Sequence, residues 1–203
     1  EDKALPGREG KYEHSFWYLT AHVSKRQFKV MCRNKAFIIT RIVQSLVYGS
    51  LMGGFAFQLG FDQWYIRAMV FMNIILYMGF ASVALIPALL VSRNVFYKHN
   101  RENFYSALSF MFAESVVSVP FILIDAVLLG SVVYFLTGLT LTGSGWHFFL
   151  YLFILFSQGI SGAALIRAIG FSSKTRNGAM AIAVLVLVLE IVFSGSVATF
   201  DLL

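Results

Sequence analysis

In a chain of 203 residues, 58% are hydrophobic and only 13% charged, against roughly 25% charged in soluble domains, which excludes an ordinary water-facing coat. The formal charge of +6 does not form a nucleic-acid-binding face, because Lys and Arg sit between uncharged runs of bilayer length. No nucleic-acid partner is expected. With Cys32 as the sole cysteine, an intrachain disulfide and a cysteine metal site are also excluded.

Residues 1–14 are polar, carry Pro6, Gly7 and Gly10 and have no hydrophobic period, which predicts a linker arriving from an upstream domain. The chain opens on Glu1 with no apolar run resembling a signal peptide and closes on Leu203 soon after an apolar run. A segment of a longer protein is the expectation. Residues 15–35 mix Phe16, Leu19, Val23, Phe28 and Met31 with Lys25, Arg26, Lys29 and Arg33. This pattern predicts an amphipathic helix at the membrane surface, with a solvated helix against a soluble domain as the alternative.

Residues 36–203 are predicted to form an all-α transmembrane domain with spans at about 36–59, 68–91, 106–136, 146–167 and 178–200. The third is too long for one straight crossing, and Pro120 predicts a kink or a tilted entry. Lys and Arg before Phe37, together with Arg41, Arg93, Lys98, Arg101, Arg167, Lys174 and Arg176, fall on one side, and Arg67 on the other. The positive-inside rule then gives a cytosolic amino terminus, with Trp64, Trp146 and His147 at the outer interface.

Within the first span Ser45, Gly49 and Gly53 recur every four residues and let another backbone approach; packing inside the domain is preferred over a dimer contact. Glu114 and Asp125 lie eleven residues apart, so both project from one helical face with Ser118 between them. Ionisable groups at membrane depth face protein or water. A basic partner such as Arg41 or Arg167 competes with a proton-coupling role. Glu190 falls near the middle of the last span, where burial against another helix is the default.

The segment Arg93–Tyr105, charged and aromatic, lies between the second and third spans on the predicted cytosolic side and is the best candidate for a docking loop. His99 within it has no second ligand at metal-binding spacing. The sequence carries no G-x-x-x-x-G-K-[ST], H-E-x-x-H, G-x-S-x-G or C-x-x-C motif, so no catalytic residue, metal site or ATP-binding site is expected in this segment.

Val95-Phe96-Tyr97-Lys98, followed by Tyr105-Ser106-Ala107 and then Val119-Pro120, resembles the V-F-Y-[RK]-E-x(6)-Y-[SP]-A…[IV]-P pattern of pleiotropic-drug-resistance-type, G-subfamily ABC transporters. Arg41 to Gly53 is similar to the family's first span, Val133-Tyr134-Phe135-Leu136-Thr137-Gly138 to the close of its third, and Phe193-Ser194-Gly195 to the end of its fifth. His99 stands where the family commonly has Glu, so an ion pair of that glutamate does not carry over.

The resemblance implies spans one to five of a six-span ABC-2 type domain, paired with a second such half and driven by ATP-binding domains in the same parent chain, where ATP and Mg would bind. It implies a plasma-membrane exporter of hydrophobic or amphipathic small molecules or lipids, with this segment itself not an enzyme. Residues 15–35 become the connecting helix, and Val95, Phe96, Tyr97, Lys98, His99 and Tyr105 the element coupled to the ATP-binding domain. Tyr77, Phe80, Val188 and Ile191 become cavity positions on the second and fifth spans. A channel or receptor module outside this family, and an intramembrane enzyme using Glu114, Asp125 or Glu190, are the competing readings.

Overall fold

The computed structural model describes residues 15–57, 64–102, 104–139 and 145–193. The linker predicted over 1–14, the turn residues 58–63 and 140–144, and the Ser194-Gly195 motif with the end of the last predicted span lie outside the described residues. Seven helices occupy the described chain: α1 (Phe16–Arg33), α2 (Lys35–Phe55), α3 (Trp64–Val83), α4 (Ile86–Arg101), α5 (Ala107–Leu136), α6 (Trp146–Ser172) and α7 (Arg176–Phe193). Among the described residues there is no strand, and five stretches are long and apolar enough to cross a membrane, α3 and α4 together supplying one over Ile66–Arg101.

Local signals account for the ends. Asn34 separates α1 from α2, and its side chain accepts the Phe37 N–H at 3.2 Å as an N-cap. Ser106 caps α5 through the Ser109 N–H at 3.1 Å. At the far end of α5, Gly138 adopts a φ of 64° and the Leu139 N–H reaches back to the Tyr134 carbonyl at 3.4 Å, the closure that a left-handed glycine permits.

Two prolines behave oppositely. The second predicted span, 68–91, contains an interruption at Ala84–Leu85, immediately before Pro87 in the first turn of α4. Pro87 has no N–H to donate and its ring crowds the Val83 carbonyl, so α3 ends and α4 restarts. Pro120, where a kink or tilted entry is expected, sits inside an α5 that stays helical throughout. Ser115 and Ser118 hydrogen bond the carbonyls of Met111 and Ser115 in the turns just before it, at 2.9 and 2.8 Å. Helices α1, α2, α4 and α6 pack around the rest of α5.

The region expected to be a loop, Arg93–Tyr105, is a second correction: it is helical through Arg101, and α5 begins at Ala107. Leu89 and Phe96 continue the buried face of α4, while Lys98, His99 and Arg101 in its last turn suit the negative end of the helix dipole.

Side-chain contacts give alternating directions. Going up α2, Ser45, Gly49 and Gly53 meet Asp125, Val132 and Leu136 in the same order, so α2 and α5 run parallel. Ile122 and Gly130 of α5 meet Gly159 and Leu152 of α6, which makes that pair antiparallel. Helix α1 also runs parallel to α5, with Trp17 edge-on to Phe112 and Phe28 against Phe121. Of the apolar positions expected to form its inner stripe, Val23 is buried between Thr20 and Gln27, whereas Phe16 and Phe28 stay exposed. At ~1.5 Å per residue α5 is about 45 Å long and outruns a hydrocarbon core of about 30 Å. Helix α1 packs along its first half, from Phe112 to Phe121.

Candidate functional site

Small residues bring the spans together. A methyl group at Gly49 would touch Val132 and Leu129 at 3.3 and 3.4 Å, and one at Gly53 would overlap Leu136 at 2.7 Å. Ser45, Gly49 and Gly53 thus face α5 of the same chain. A second close approach has no counterpart among the sequence expectations: a methyl at Gly162 of α6 would lie 3.4 Å from the Gly79 Cα of α3. The run Ser157, Gly159, Ser161, Gly162, Ala163, Ala164 carried that signal.

Two polar networks sit inside this packing. Asp125 forms an ion pair with Arg41, whose guanidinium also lies 5.6 Å from the Phe37 ring centroid. Ser45 lies between Asp125, at 3.5 Å, and the Tyr77 hydroxyl, at 3.4 Å, and Tyr77 stacks on Tyr48 with ring centroids 4.2 Å apart. One carboxylate therefore ties α2, α3 and α5. In the other network Glu114 lies near Ser92 and Arg167, and Arg167 donates to Ser115 at 3.3 Å and to Ser118. Although Glu114 and Asp125 share a helix, they belong to separate networks. Glu190 is half-buried beside Gly79, the position of a Gly79 methyl lying 3.7 Å from its Oε2. Among the described residues no ion pair reaches it.

A cavity of about 480 Å³ lies on the face formed by α2, α3 and α7, lined in part by Gln44, Tyr48, Asn73, Tyr77, Phe80 and Ile191. Three of the four cavity positions implied by resemblance meet here. Val188 does not line it and is exposed on α7 one turn away. Tyr77 is largely buried by its stacking and hydrogen bonding, so Phe80 and Ile191 share the open apolar wall with exposed Val47 and Leu51 of α2. Gln44 and Asn73, which no sequence motif singles out, add amide groups.

At the α1 end an aromatic cluster joins three helices. Phe96 of α4 stacks on Phe110 of α5 at 4.9 Å and lies 5.9 Å from Tyr105, and Val23 of α1 packs into the same cluster. Tyr105 shares a hydrogen bond of 3.0 Å with His99 Nδ1. Burial holds the Tyr105 phenol above its ordinary range, with Arg26 beside it pulling the other way. The phenol therefore stays protonated at neutral pH. The six predicted coupling residues split accordingly: Phe96 and Tyr105 are buried, Val95 and His99 half-buried, and Tyr97 and Lys98 exposed.

Arg93 was legible only as one of many basic residues, yet it fastens α4 to the end of α6. Its Nη1 donates to the carbonyls of Gly170 at 3.1 Å and Phe171 at 3.3 Å, and also to that of Ser173. These include carbonyls that the end of an α-helix leaves without partners. No group of three or more metal-ligating side chains occurs among the described residues.

A family model described as ABC-2 type transporter matches residues 18–203. Curated relatives include ABC transporter G family member 2 of Dictyostelium discoideum, 26% identical over 75% of this chain and 12% of that protein. A probable ATP-dependent permease of Saccharomyces cerevisiae is 26% identical over 92% of this chain and 18% of its own length. Pleiotropic drug resistance protein 1 of Nicotiana tabacum is 27% identical over 73% of this chain and 11% of its own. The chain spans less than a fifth of the length of each of these relatives.

Proposed function

The chain belongs to the ABC-2 type transporter family, and on that premise we propose that it is the permease unit of an ATP-driven exporter of hydrophobic or amphipathic small molecules or lipids. The observation that carries the proposal is the cavity bounded by Phe80, Tyr77 and Ile191, which opens on a face of membrane-crossing helices and combines apolar walls with the amides of Gln44 and Asn73. Such a lining favours shape-tolerant apolar recognition with a few orienting hydrogen bonds. Exposed Val47 and Leu51 extend this face, and a second transmembrane half laid over it would enclose the cavity between two copies or two related halves.

The motor docks at the other end of the domain. Exposed Tyr97 and Lys98 offer contacts to an ATP-binding domain of the parent chain, which would hold ATP and Mg, while Phe96, Tyr105, Phe110 and Val23 bind α1, α4 and α5 into one lever. The basic residues gathered at this end support a cytosolic side for it and for the amino terminus, and the plasma membrane follows from the family resemblance alone.

The test is ATP-driven export of a substrate panel by the intact transporter. Phe80→Ala and Ile191→Ala change substrate preference while surface expression holds, and Val188→Ala changes it less. Unchanged export of every substrate by both lining variants contradicts the assignment.

A further inference from the structure

A second cavity, of about 530 Å³, lies beneath α1, bounded also by the start of α2, by α4, and by α5 and α6. It shares no lining residue with the cavity on the α2, α3 and α7 face. Its size falls in the range of roughly 300–1,000 Å³ that small-molecule sites occupy.

The lining has a direction. Val30 and Val91 are 56% and 67% exposed, so one end opens between apolar side chains of α1 and α4. At the other end stand Ser118 and Arg167, 5% and 7% exposed. Three charged residues line the space, Arg26, Glu114 and Arg167, two cations against one anion. Glu114 already has Ser92 and Arg167 as neighbours. Arg167 gives one N–H to Ser115 and one to Ser118, and a guanidinium carries five. Glu114 offsets one of the two cations, Arg26 on the exposed side being the other, so an anion that accepts further donors of Arg167 and lies near Arg26 would leave the lining neutral.

We propose that this cavity binds a single-chain amphiphile with an anionic head, a carboxylate or a phosphate monoester, the head turned to Arg167 and Arg26 and the tail directed to the opening between Val30 and Val91. The ligand enters laterally from the leaflet on the α1 side. This site is separate from the transport face, and it rests on the membrane-crossing fold rather than on the export reading.

Photolabelling of the intact transporter in phosphatidylcholine nanodiscs, without ATP, tests it. One arm uses palmitate with a diazirine in its tail, the other a lysophosphatidic acid with the same tail. Label is expected on the peptides holding Val30 and Met31 or Ala88 and Val91, and the arm that labels identifies the head. Excess oleate should reduce it about tenfold more effectively than oleyl alcohol, the discrimination that a charge-assisted hydrogen bond provides. Arg167→Gln should erase that preference. Because Arg167 is also structural, Ala88→Trp provides an independent variant: Ala88 is exposed on the cavity wall, and the indole fills the space and removes the label. Label confined to other lipid-facing positions, label that persists in Ala88→Trp, absence of label in both arms, or equal competition by oleyl alcohol in the unaltered protein would each overturn the proposal. A failure of ATP-driven export leaves these readouts untouched.

Discussion

The first turns of α5 and its middle are held by different chemistries, with the Glu114, Ser115 and Ser118 contacts to Arg167 between them. Its first turns are fixed by rings, Phe110 against Phe96, Tyr105 and Phe171, whereas its middle is fixed by the Asp125–Arg41 pair and the hydroxyls of Ser45 and Tyr77. Ring packing at the α1 end makes few polar demands and tolerates loss of one member in proportion to the contacts removed. A charge pair within the span behaves otherwise, because removing one member strands the other in a medium that cannot solvate it. The first arrangement suits a joint that must pass on movement; the second fixes which turn of α2 faces which turn of α5.

Breaking the ionic half should have the largest effect. Asp125→Ala or Arg41→Ala is expected to cost about 3–5 kcal/mol, read as lost surface expression and a lower inactivation temperature. The double change Arg41→Met with Asp125→Leu should recover most of that loss, and a double variant as damaged as the singles would refute the pairing. Next, Phe96→Ala should cost about 3 kcal/mol from the aromatic cluster. The milder Phe96→Leu should preserve expression and ATP hydrolysis while lowering transport per ATP, and unaltered coupling would separate the cluster from the lever. Smaller again, Gly53→Ala must push Leu136 aside and should cost about 1–3 kcal/mol. Neighbouring Gly54, with open space around it, should accept Ala without loss. Equal thermal stability of these two variants would contradict the close approach of α2 to α5.

Much of this comparison was legible beforehand, for identifiable reasons. Bilayer-length apolar runs and the Ser45, Gly49, Gly53 spacing are local signals, and they locate the spans and the face α2 turns to α5. Glu114 and Asp125 were visible as costly groups, but periodicity alone puts them on one face. Their division between Arg41 and Arg167 depends on which neighbours meet each turn of α5. Pro87 and Pro120 look alike in sequence; what separates them is the packing of other helices around α5, which no window of residues contains. Arg93 resembled a topology signal because its acceptors, the carbonyls at the end of α6, lie 77 to 81 positions away. For the same reason Val188 and Ile191 could not be ranked as cavity residues until α7 was seen against α2 and α3.

The most direct test of the central claim is substrate accumulation in inside-out vesicles bearing the intact transporter, measured with ATP, with a non-hydrolysable analogue, and without nucleotide. The account predicts accumulation against a gradient with ATP only, its selectivity altered by Phe80→Ala. Equal flux under all three conditions would contradict it and point to a channel.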